Sequence, residues 1–148
     1  MLSNLLRPSV FVFFLLCSHA FAQSLPQVKN LKTEYLIDPI GLDNPKPRLT
    51  WQMDDARMGA QQTAYRISLN IDSVALTQGK NNFWDTGWLQ TSTSLKTYAG
   101  PTLKPFTKYF WKVELKDQKG NLLKGKKIAS FEMGMMNGKN WRGMMDCR

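Results

Sequence analysis

The sequence predicts an all-β protein, an antiparallel β-sandwich of about seven short strands that is preceded by a signal peptide. The first observation is a central stretch, residues 109–116, in which apolar and charged residues alternate. The second is the spacing Leu-x-Pro-x-Thr-x-Tyr over residues 103–109, which is that of a tyrosine corner. The third is a group of turn-forming residues about every ten positions, with no convincing helical period after the N-terminal segment. Together these features are typical of fibronectin type III and immunoglobulin-like domains.

The stretch 109–116 predicts a half-buried central strand, because successive side chains in a strand point to opposite faces of the sheet. One predicted face is apolar and consists of Tyr109, Trp111, Val113 and Leu115. The other face is charged and consists of Lys108, Lys112, Glu114 and Lys116, with Phe110 as its apolar exception. In a tyrosine corner the Tyr109 hydroxyl bonds to backbone upstream of the strand; an ordinary strand after a proline turn is the alternative.

Six further strands are predicted, over residues 28–37, 48–53, 62–71, 83–88, 95–99 and 127–133. Their expected inward residues are apolar at every second position: Leu31, Tyr35, Ile37, Leu49, Trp51, Met53, Tyr65, Ile67, Leu69, Ile71, Ala129, Phe131 and Met133. Residues 38–47, with three prolines, and 54–61, around Gly59, are expected loops. For residues 72–80 we favour a loop over a single helical turn. In the 83–88 segment, Asp85 is expected to bond backbone amides and Gly87 to take a positive φ.

The first 22 residues have the features of a secretory signal peptide. A short apolar run, residues 10–16, follows the charge of Arg7 and ends at an Ala-x-Ala site, Ala20 to Ala22. This run is too short to span a bilayer, which requires about 20 apolar residues. We therefore expect cleavage after Ala22 and a secreted or periplasmic protein without a membrane anchor; an uncleaved anchor is the alternative.

Cleavage would leave a chain with little nucleophilic or ligating chemistry. His19, the only histidine, and Cys17 would be removed with the signal, so that Cys147 remains without a partner cysteine. Such a chain has no Ser–His or Cys–His pair, no His-ligated zinc site and no internal disulfide. We therefore predict no cofactor, no metal and no catalytic residue, and the role of Cys147 stays open.

Length and charge restrict the function further. A chain of 148 residues that is 43% hydrophobic suits one globular domain. Its formal charge of +9 becomes +8 when Arg7 is lost, with 19 basic residues against 11 acidic ones. A basic exported domain could bind polyanions, but the lysines are spread along strands and turns as on a solvated face, so we predict no nucleic-acid partner. The acidic residues form no separated pair suited to acid–base hydrolysis, and we expect the adjacent Asp54 and Asp55 to lie in a solvated turn.

Four aromatic residues are the candidate binding residues. Phe83, Trp84 and Trp88 surround the predicted turn, and Phe110 lies out of phase on the central strand. Such rings can stack on sugars or dock against a partner domain. The alternative is structural: Trp84 fills the core and Trp88 covers its edge. Trp51, Tyr65, Tyr109 and Trp111 are predicted to form the structural core.

Six short stretches resemble, in order, the N-terminal domain of bacterial α-L-rhamnosidases, glycoside hydrolase family 78. They are EYLIDPIGL (34–42), PRLTW (47–51), QQTAYRI (61–67), WDTG (84–87), YAG (98–100) and YFWKV (109–113). Each motif is weak alone, but six in register are specific, and the resemblance extends from about residue 28 to residue 141.

The resemblance implies a fibronectin-III-like or immunoglobulin-like sandwich at the front of a longer enzyme. In that family a jelly-roll domain follows, and a later (α/α)-barrel carries the acidic residues that hydrolyse terminal α-L-rhamnose with inversion. None of those catalytic positions falls within this sequence. The expected partners are thus the downstream domains of the same enzyme and rhamnose-containing glycans.

We expect four segments: a signal peptide (1–22), a short leader (23–27), the sandwich (28–134), and a linker with the start of a following domain (135–148). Residues 140–143, NWRG, resemble the beginning of that next domain, after which the sequence departs from the family pattern. We therefore expect a fragment: a non-catalytic accessory domain of a secreted α-L-rhamnosidase, inactive alone. A stand-alone carbohydrate-binding or adhesion module is the alternative.

Overall fold

The computed structural model describes residues 25–136, which fold into two antiparallel sheets and one short helix. In chain order the elements are β1 (Gln27–Thr33), β2 (Arg48–Asp54), β3 (Gln62–Asn70), α1 (Ser73–Gln78), β4 (Trp84–Asp85), β5 (Leu89–Gln90), β6 (Leu95–Thr97), β7 (Lys108–Asp117), β8 (Leu122–Lys124) and β9 (Ala129–Glu132). The smaller sheet has the order β1-β2-β6. In the larger sheet β3 and β7 pair at the centre, β4 and β5 pair with β3, and β8 and β9 pair with β7. This architecture confirms the predicted all-β sandwich.

The predicted central strand is β7, and its apolar face is the centre of the core. Trp111, Val113 and Leu115 are each at most 1% exposed and lie opposite Leu69, Ile67 and Tyr65 of β3. The Lys104 amide donates a hydrogen bond to the Tyr109 hydroxyl at 2.9 Å. The predicted tyrosine corner is thus present.

The two buried indoles link neighbouring segments through their polar atoms as well as through packing. The Trp51 ring of β2 lies 4.7 Å from the Tyr65 ring of β3, and its Nε1–H donates to Gln62 Oε1 at 2.9 Å. The Trp111 Nε1–H of β7 donates to Thr33 Oγ1 of β1 at 3.1 Å. Both contacts join the smaller sheet to the larger one, so each ring is held in one orientation without an unpaired buried N–H.

The first strand is shorter than predicted, and the expected inward positions Tyr35 and Ile37 are wrong. They are 52% and 64% exposed, because β1 ends at Thr33. Glu34 and Tyr35 adopt left-handed backbone angles, φ 49° and 65°, which an extended strand does not allow. Thr33 and Leu36 exchange two backbone hydrogen bonds of 2.9 Å, closing a tight turn.

The loop predicted over residues 72–80 is wrong, since this segment contains α1. Asp72 caps the helix by accepting from the Val74 and Ala75 amides, and Gly79 ends it in the left-handed conformation at φ 68°. Leu76 is fully buried. The predicted inward position of Ile71 is also wrong: it is 57% exposed, because β3 ends one residue earlier, at Asn70.

The strands β5 and β8 were not predicted, and the predicted strand 83–88 shortens to β4. Two- and three-residue strands are too short to show a period of two; Leu123 of β8 lies opposite Leu115 and is buried. The turn after β4 follows the prediction: Asp85 accepts from the Gly87 amide at 2.8 Å, and Gly87 has φ 62°.

The expected solvated turn at Asp54 and Asp55 is wrong. Asp54 is the last residue of β2, and its carboxylate accepts a 2.8 Å hydrogen bond from Lys29 Nζ. The Asp55 side chain is only 2% exposed and binds Arg57, whose guanidinium also lies 2.7 Å from the fully buried Asp117 carboxylate. The loop after β2 is thereby fastened to the end of β7.

The described residues do not include every segment that the sequence analysis covered. The predicted signal peptide (1–22), Cys147 and the 140–143 motif lie outside residues 25–136. Within that range, no helix is long and apolar enough to cross a bilayer.

Candidate docking surface

The structure does not bring the four candidate aromatic residues together. Phe83 packs against the core, with its ring 5.5 Å from that of Tyr109. Trp88 and Phe110 lie half-buried near opposite ends of β7. Lys116 Nζ is 4.5 Å from the centre of the Trp88 ring, whereas Phe110 pairs with Ser130 near the start of the strand. Six residues of strand separate these two sites, about 20 Å, so they cannot form one sugar-binding platform.

Trp84 has a structural environment on both sides. Its ring meets that of Tyr98 edge-on at 4.7 Å and 67°, and it covers Gly100. A Cβ on Gly100 would lie 2.6 Å from Trp84 Cγ, so only glycine allows this approach. The Tyr98 hydroxyl in turn donates to the Pro101 carbonyl at 2.6 Å. The WDTG and YAG motifs are therefore two halves of one contact between the sheets.

The four candidate core residues are all in the interior. Trp51, Tyr65, Tyr109 and Trp111 are at most 3% exposed. These rings hold the two sheets together, and none is accessible to a ligand.

Two exposed apolar residues that the sequence analysis did not single out flank the point where the chain leaves the sandwich. Ile40 is 77% exposed and Phe106 66% exposed. Leu42 and Met136 are half-buried beside them and pack against the core. We call Ile40, Leu42, Phe106 and Met136 the exit surface.

Backbone hydrogen bonds place the exit surface on three segments that lie side by side. On one side, the Leu42 amide donates to the Glu132 carbonyl at 3.0 Å and the Gly134 amide to the Leu42 carbonyl at 2.7 Å. On the other side, the Phe106 amide donates to the Gly134 carbonyl at 3.2 Å. Segments 39–42 and 106–107 therefore enclose the departing chain.

The loop that carries Ile40 is held rigidly. Ser130 donates its amide to the Asp38 carboxylate at 2.8 Å, and Met136 donates its amide to the Asp43 carboxylate at 3.0 Å. A Cβ on Gly134 would lie 2.7 Å from Asp43 Oδ1 and 3.0 Å from the Gly41 backbone, so this close approach needs glycine. Ile40 is therefore an exposed apolar residue on a loop that hydrogen bonds hold in place.

Phe106 is presented by an unusual backbone. Its φ is 53°, in the left-handed region that a bulky residue rarely adopts. The corner that produces this conformation is fixed on one side by the Gly134 carbonyl and on the other by the bond between Lys104 and Tyr109. Strain of this kind persists where the surrounding structure imposes it, and it is frequent at functional positions.

Sequence signals for Ile40 and Phe106 exist but are weak. Each is a large apolar residue that directly follows a proline, in Pro39-Ile40-Gly41 and Pro105-Phe106-Thr107. A rule that places apolar residues inside would assign both to the core, because patterning does not separate a buried apolar residue from an exposed one in a loop.

Three described carboxyl groups, those of Asp55, Asp85 and Asp117, are arranged for ion pairing with arginine. Arg57 lowers the pKa of Asp55 through a hydrogen bond. Burial acts to raise the pKa of Asp117, but hydrogen bonds from Arg57, Asn121 and Lys119 outweigh it and hold that pKa below its usual range. The pKa of Asp85 is lowered in the same way, against its burial, chiefly by Arg66. Within residues 25–136 no group of three or more His, Cys, Asp or Glu residues is placed to hold a metal ion.

A family model described as "Rha78A-like, N-terminal immunoglobulin domain" matches residues 28–137. The chain belongs to this family. This Rha78A-like domain is 35% identical over 116 residues to an α-L-rhamnosidase of Streptomyces avermitilis, a match that covers 78% of the chain and 11% of the relative. It is 28% identical over 134 residues to an α-L-rhamnosidase of Formosa agariphila, covering 89% of the chain and 14% of the relative.

Solved structures agree with this assignment. An α-L-rhamnosidase from Dictyoglumus thermophilum superposes with a TM-score of 0.75 at 30% identity, over 78% of this chain and 13% of that one. The Streptomyces avermitilis enzyme, solved with L-rhamnose, gives a TM-score of 0.74 at 34% identity, over 79% and 11%. These matches confirm the predicted resemblance to the N-terminal domain of bacterial α-L-rhamnosidases. The Rha78A-like chain spans only 11–15% of the length of the curated relatives it matches.

Proposed function

We propose that this chain is the non-catalytic N-terminal accessory domain of an α-L-rhamnosidase and that it acts through its surface on the other domains of that enzyme. The observation that carries the proposal is the family match over residues 28–137, together with relatives that are α-L-rhamnosidases several times longer than this chain. The partners of the domain are the downstream domains of the same enzyme.

The chemistry of the described carboxyl groups supports a non-catalytic role. An inverting glycosidase needs one carboxyl group whose pKa is raised, so that it can protonate the leaving oxygen, and a second carboxylate to activate water. Asp55, Asp85 and Asp117 instead have lowered pKa values and bind arginine. Carboxylates of this kind are ionised at neutral pH and stabilise loops.

The exit surface gives the domain its mechanical role. The last described residues, 134–136, lie between the segments that carry Ile40 and Phe106, and the Asp43 carboxylate holds the Met136 amide. A following domain would therefore start at a fixed position and in a fixed direction. The sandwich would brace the enzyme and take no part in bond cleavage.

We further propose that the domain is exported, with residues 1–22 as its cleaved signal peptide. The support is the sequence pattern alone, an apolar run that follows Arg7 and ends at Ala20 to Ala22. Mass spectrometry of the exported protein should find Gln23 as the first residue. An intact N-terminus at Met1 would contradict export by cleavage.

A direct test of the non-catalytic role is incubation of the purified chain with an aryl α-L-rhamnoside. We expect no release of the aryl group above that of buffer, because Asp55, Asp85 and Asp117 have lowered pKa values and do not supply the protonated carboxyl group that the reaction needs. Release that follows the protein through purification and disappears when the protein is unfolded would contradict the proposal.

The second candidate function is a stand-alone carbohydrate-binding module, which one observation favours. A polar cleft of about 250 Å³ lies on the outer face of the larger sheet, lined in part by Arg66, Asn82, Lys112 and Glu114. Asn82 Oδ1 is buried there without a hydrogen-bond partner among the described residues, and a sugar hydroxyl could supply the donor. Calorimetric titration with L-rhamnose distinguishes the two functions: saturable binding that Asn82→Leu abolishes without unfolding supports the module.

A further inference from the structure

We propose that the outer face of the larger sheet carries a binding groove for an acidic sugar chain, one whose residues bear both hydroxyl and carboxylate groups. The inference goes beyond the proposed function, since an accessory role requires no ligand at this position. It stands on the geometry of the cleft beside Asn82 and holds for an accessory domain and for a stand-alone module alike.

The groove consists of two adjoining clefts. The first is the cleft of about 250 Å³ beside Asn82, and the second, of about 290 Å³, extends toward Gly125 and Ile128. Four residues line both clefts, which therefore meet over the middle of β7: Thr77, Lys112, Glu114 and Lys124. Together the clefts reach the size of small-ligand pockets, about 300–1,000 Å³. We call these two clefts the outer groove.

Hydrogen bonds fix several polar groups of the outer groove in position. The Asp85 carboxylate accepts from Arg66 Nε and from Asn82 Nδ2, each at 2.9 Å. Lys112 Nζ donates to the Leu76 carbonyl of α1 at 2.8 Å. Side chains that are already ordered lose little conformational entropy when a ligand binds, so this arrangement favours binding.

The Asn82 side chain indicates a ligand with hydrogen-bond donors. Because Asn82 Nδ2 donates to Asp85, the opposite assignment of the amide would set an oxygen against a carboxylate, and Oδ1 therefore points away from Asp85. This oxygen is buried without a partner among the described residues, although buried acceptors are normally paired. Thr77 and Gln78 line the same cleft and are exposed, so their side chains can turn to admit a ligand hydroxyl.

Charge indicates that the ligand is also anionic. Within residues 25–136, two cations of the groove are neutralised in ion pairs of 2.9 and 3.4 Å, those of Arg66 with Asp85 and of Lys124 with Glu114. Lys112 and Lys126 also line the groove and have no carboxylate within ion-pair distance in that range. Four cations against two carboxylates leave an excess of positive charge, which a ligand carboxylate neutralises through charge-assisted hydrogen bonds.

These two requirements distinguish an acidic sugar from simpler ligands. A sulfate ion supplies charge but no donor for Asn82, and a neutral sugar supplies donors but no charge for Lys112 and Lys126. None of the described residues that line the groove is aromatic, so the groove lacks the stacking platforms of single-stranded nucleic-acid sites. A sugar with hydroxyl and carboxylate groups meets both requirements.

The test is calorimetric titration of the purified chain with tri-galacturonate and, as a matched neutral probe, with its fully methyl-esterified form. We expect saturable binding of the acid that weakens as salt is added, and binding of the ester that is weaker by about tenfold or more, because the ester keeps the hydroxyls and loses the charges. Lys112→Gln and, separately, Lys126→Gln should each weaken binding of the acid by about three- to tenfold. Asn82→Leu should weaken it by a factor that does not change with salt, because this substitution removes an uncharged acceptor.

The matched control is Lys46→Gln. It makes the same change in net charge at an exposed position just before β2 of the smaller sheet, and it should bind the acid as the wild type does. The thermal midpoint of each variant shows whether it is folded. Lys126 is itself exposed, so Lys126→Gln keeps the test decisive if a substitution at Lys112 or Asn82 unfolds the chain.

Three results would overturn the inference. One is the absence of saturable binding of tri-galacturonate. Another is equal affinity for the acid and its ester, or for the acid and inorganic sulfate, since the ligand would then need only one of the two chemical features. The third is binding by Lys112→Gln and Lys126→Gln as tight as that by Lys46→Gln, which would place the site elsewhere. None of these results bears on the rhamnoside assay, so failure of the groove and failure of the proposed function remain distinguishable.

Discussion

Tyr109→Phe isolates the hydrogen bond of the tyrosine corner. The Tyr109 ring is 1% exposed and lies 5.5 Å from both the Phe83 and the Phe131 ring, and phenylalanine would keep this packing. The substitution removes only the hydroxyl, which accepts a 2.9 Å hydrogen bond from the Lys104 amide. An amide left without a partner costs about 1–3 kcal/mol when buried. Because the Lys104 residue is itself exposed, water can partly replace the hydroxyl, and we expect the lower half, about 1–2 kcal/mol.

Urea unfolding followed by tryptophan fluorescence measures this loss as a lower midpoint at an unchanged slope. The thermal midpoint should fall by about 4–8 °C. Tyr35→Phe is the matched control, since Tyr35 is 52% exposed, and it should change stability by less than about 0.5 kcal/mol. If Tyr109→Phe were as stable as Tyr35→Phe, the corner would contribute nothing and the reasoning from the Leu-x-Pro-x-Thr-x-Tyr spacing would be refuted.

Three further substitutions test the packing and the ion pairs. Trp51→Ala should cost about 3–5 kcal/mol in urea unfolding, because it removes a fully buried indole between the sheets. Gly100→Ala should cost about 1–3 kcal/mol, since its Cβ would displace Trp84. Arg57→Gln should move the midpoint of acid unfolding to higher pH, because it removes a hydrogen bond that lowers the pKa of Asp117.

The direction of the acid effect follows from linkage. A carboxyl group whose pKa is lower in the folded state than in the unfolded state contributes stability above its unfolded pKa, about 4, and loses it as the pH falls through the folded value. The wild type should therefore keep its stability down to about pH 4 and lose it progressively below that. An Arg57→Gln variant with the same acid midpoint as the wild type would show that the pair with Asp117 does not lower that pKa.

The elements that could be predicted are those whose pattern is local and long enough to repeat. β7 alternates over ten residues, and its buried apolar residues were identified correctly because a strand of that length shows its period several times; the buried Asp117 at its end was not. The tyrosine corner was predictable since its spacing encodes a contact only five residues apart, between Lys104 and Tyr109. The burial of Trp51 was predictable because apolar and polar residues alternate regularly along β2.

The features that could not be predicted depend on contacts between distant segments or on very short elements. Asp54 binds Lys29 across 25 positions, and the Arg57 that binds Asp55 also meets Asp117 across 60 positions, so the adjacent pair Asp54 and Asp55 was assigned to solvent. Helix α1 has six residues, fewer than two turns, and shows no repeat. Gly100 lies within a recognised motif, but its role became evident only with the Trp84 ring placed over it.

The exit surface was missed for a different reason. Ile40 and Phe106 are apolar residues in loops, and the pattern does not tell whether such a residue is inside or outside. Only the structure shows that both residues are exposed and that they lie on segments hydrogen-bonded to residues 132–134. The four aromatic candidates were chosen by residue type and by their position at a predicted turn or out of phase on the central strand, and the fold distributes them between the core edge and two separate sites on the larger sheet.

Domain exchange tests the accessory role most directly. Residues 28–137 of this chain would replace the matching N-terminal stretch of the Streptomyces avermitilis α-L-rhamnosidase, and activity on an aryl α-L-rhamnoside would be followed after heating. We expect the chimera to retain most of the activity and heat resistance of the parent enzyme, and Ile40→Ser with Phe106→Ser to reduce the heat resistance. A chimera no more active or heat-resistant than the enzyme with that stretch deleted would contradict the account.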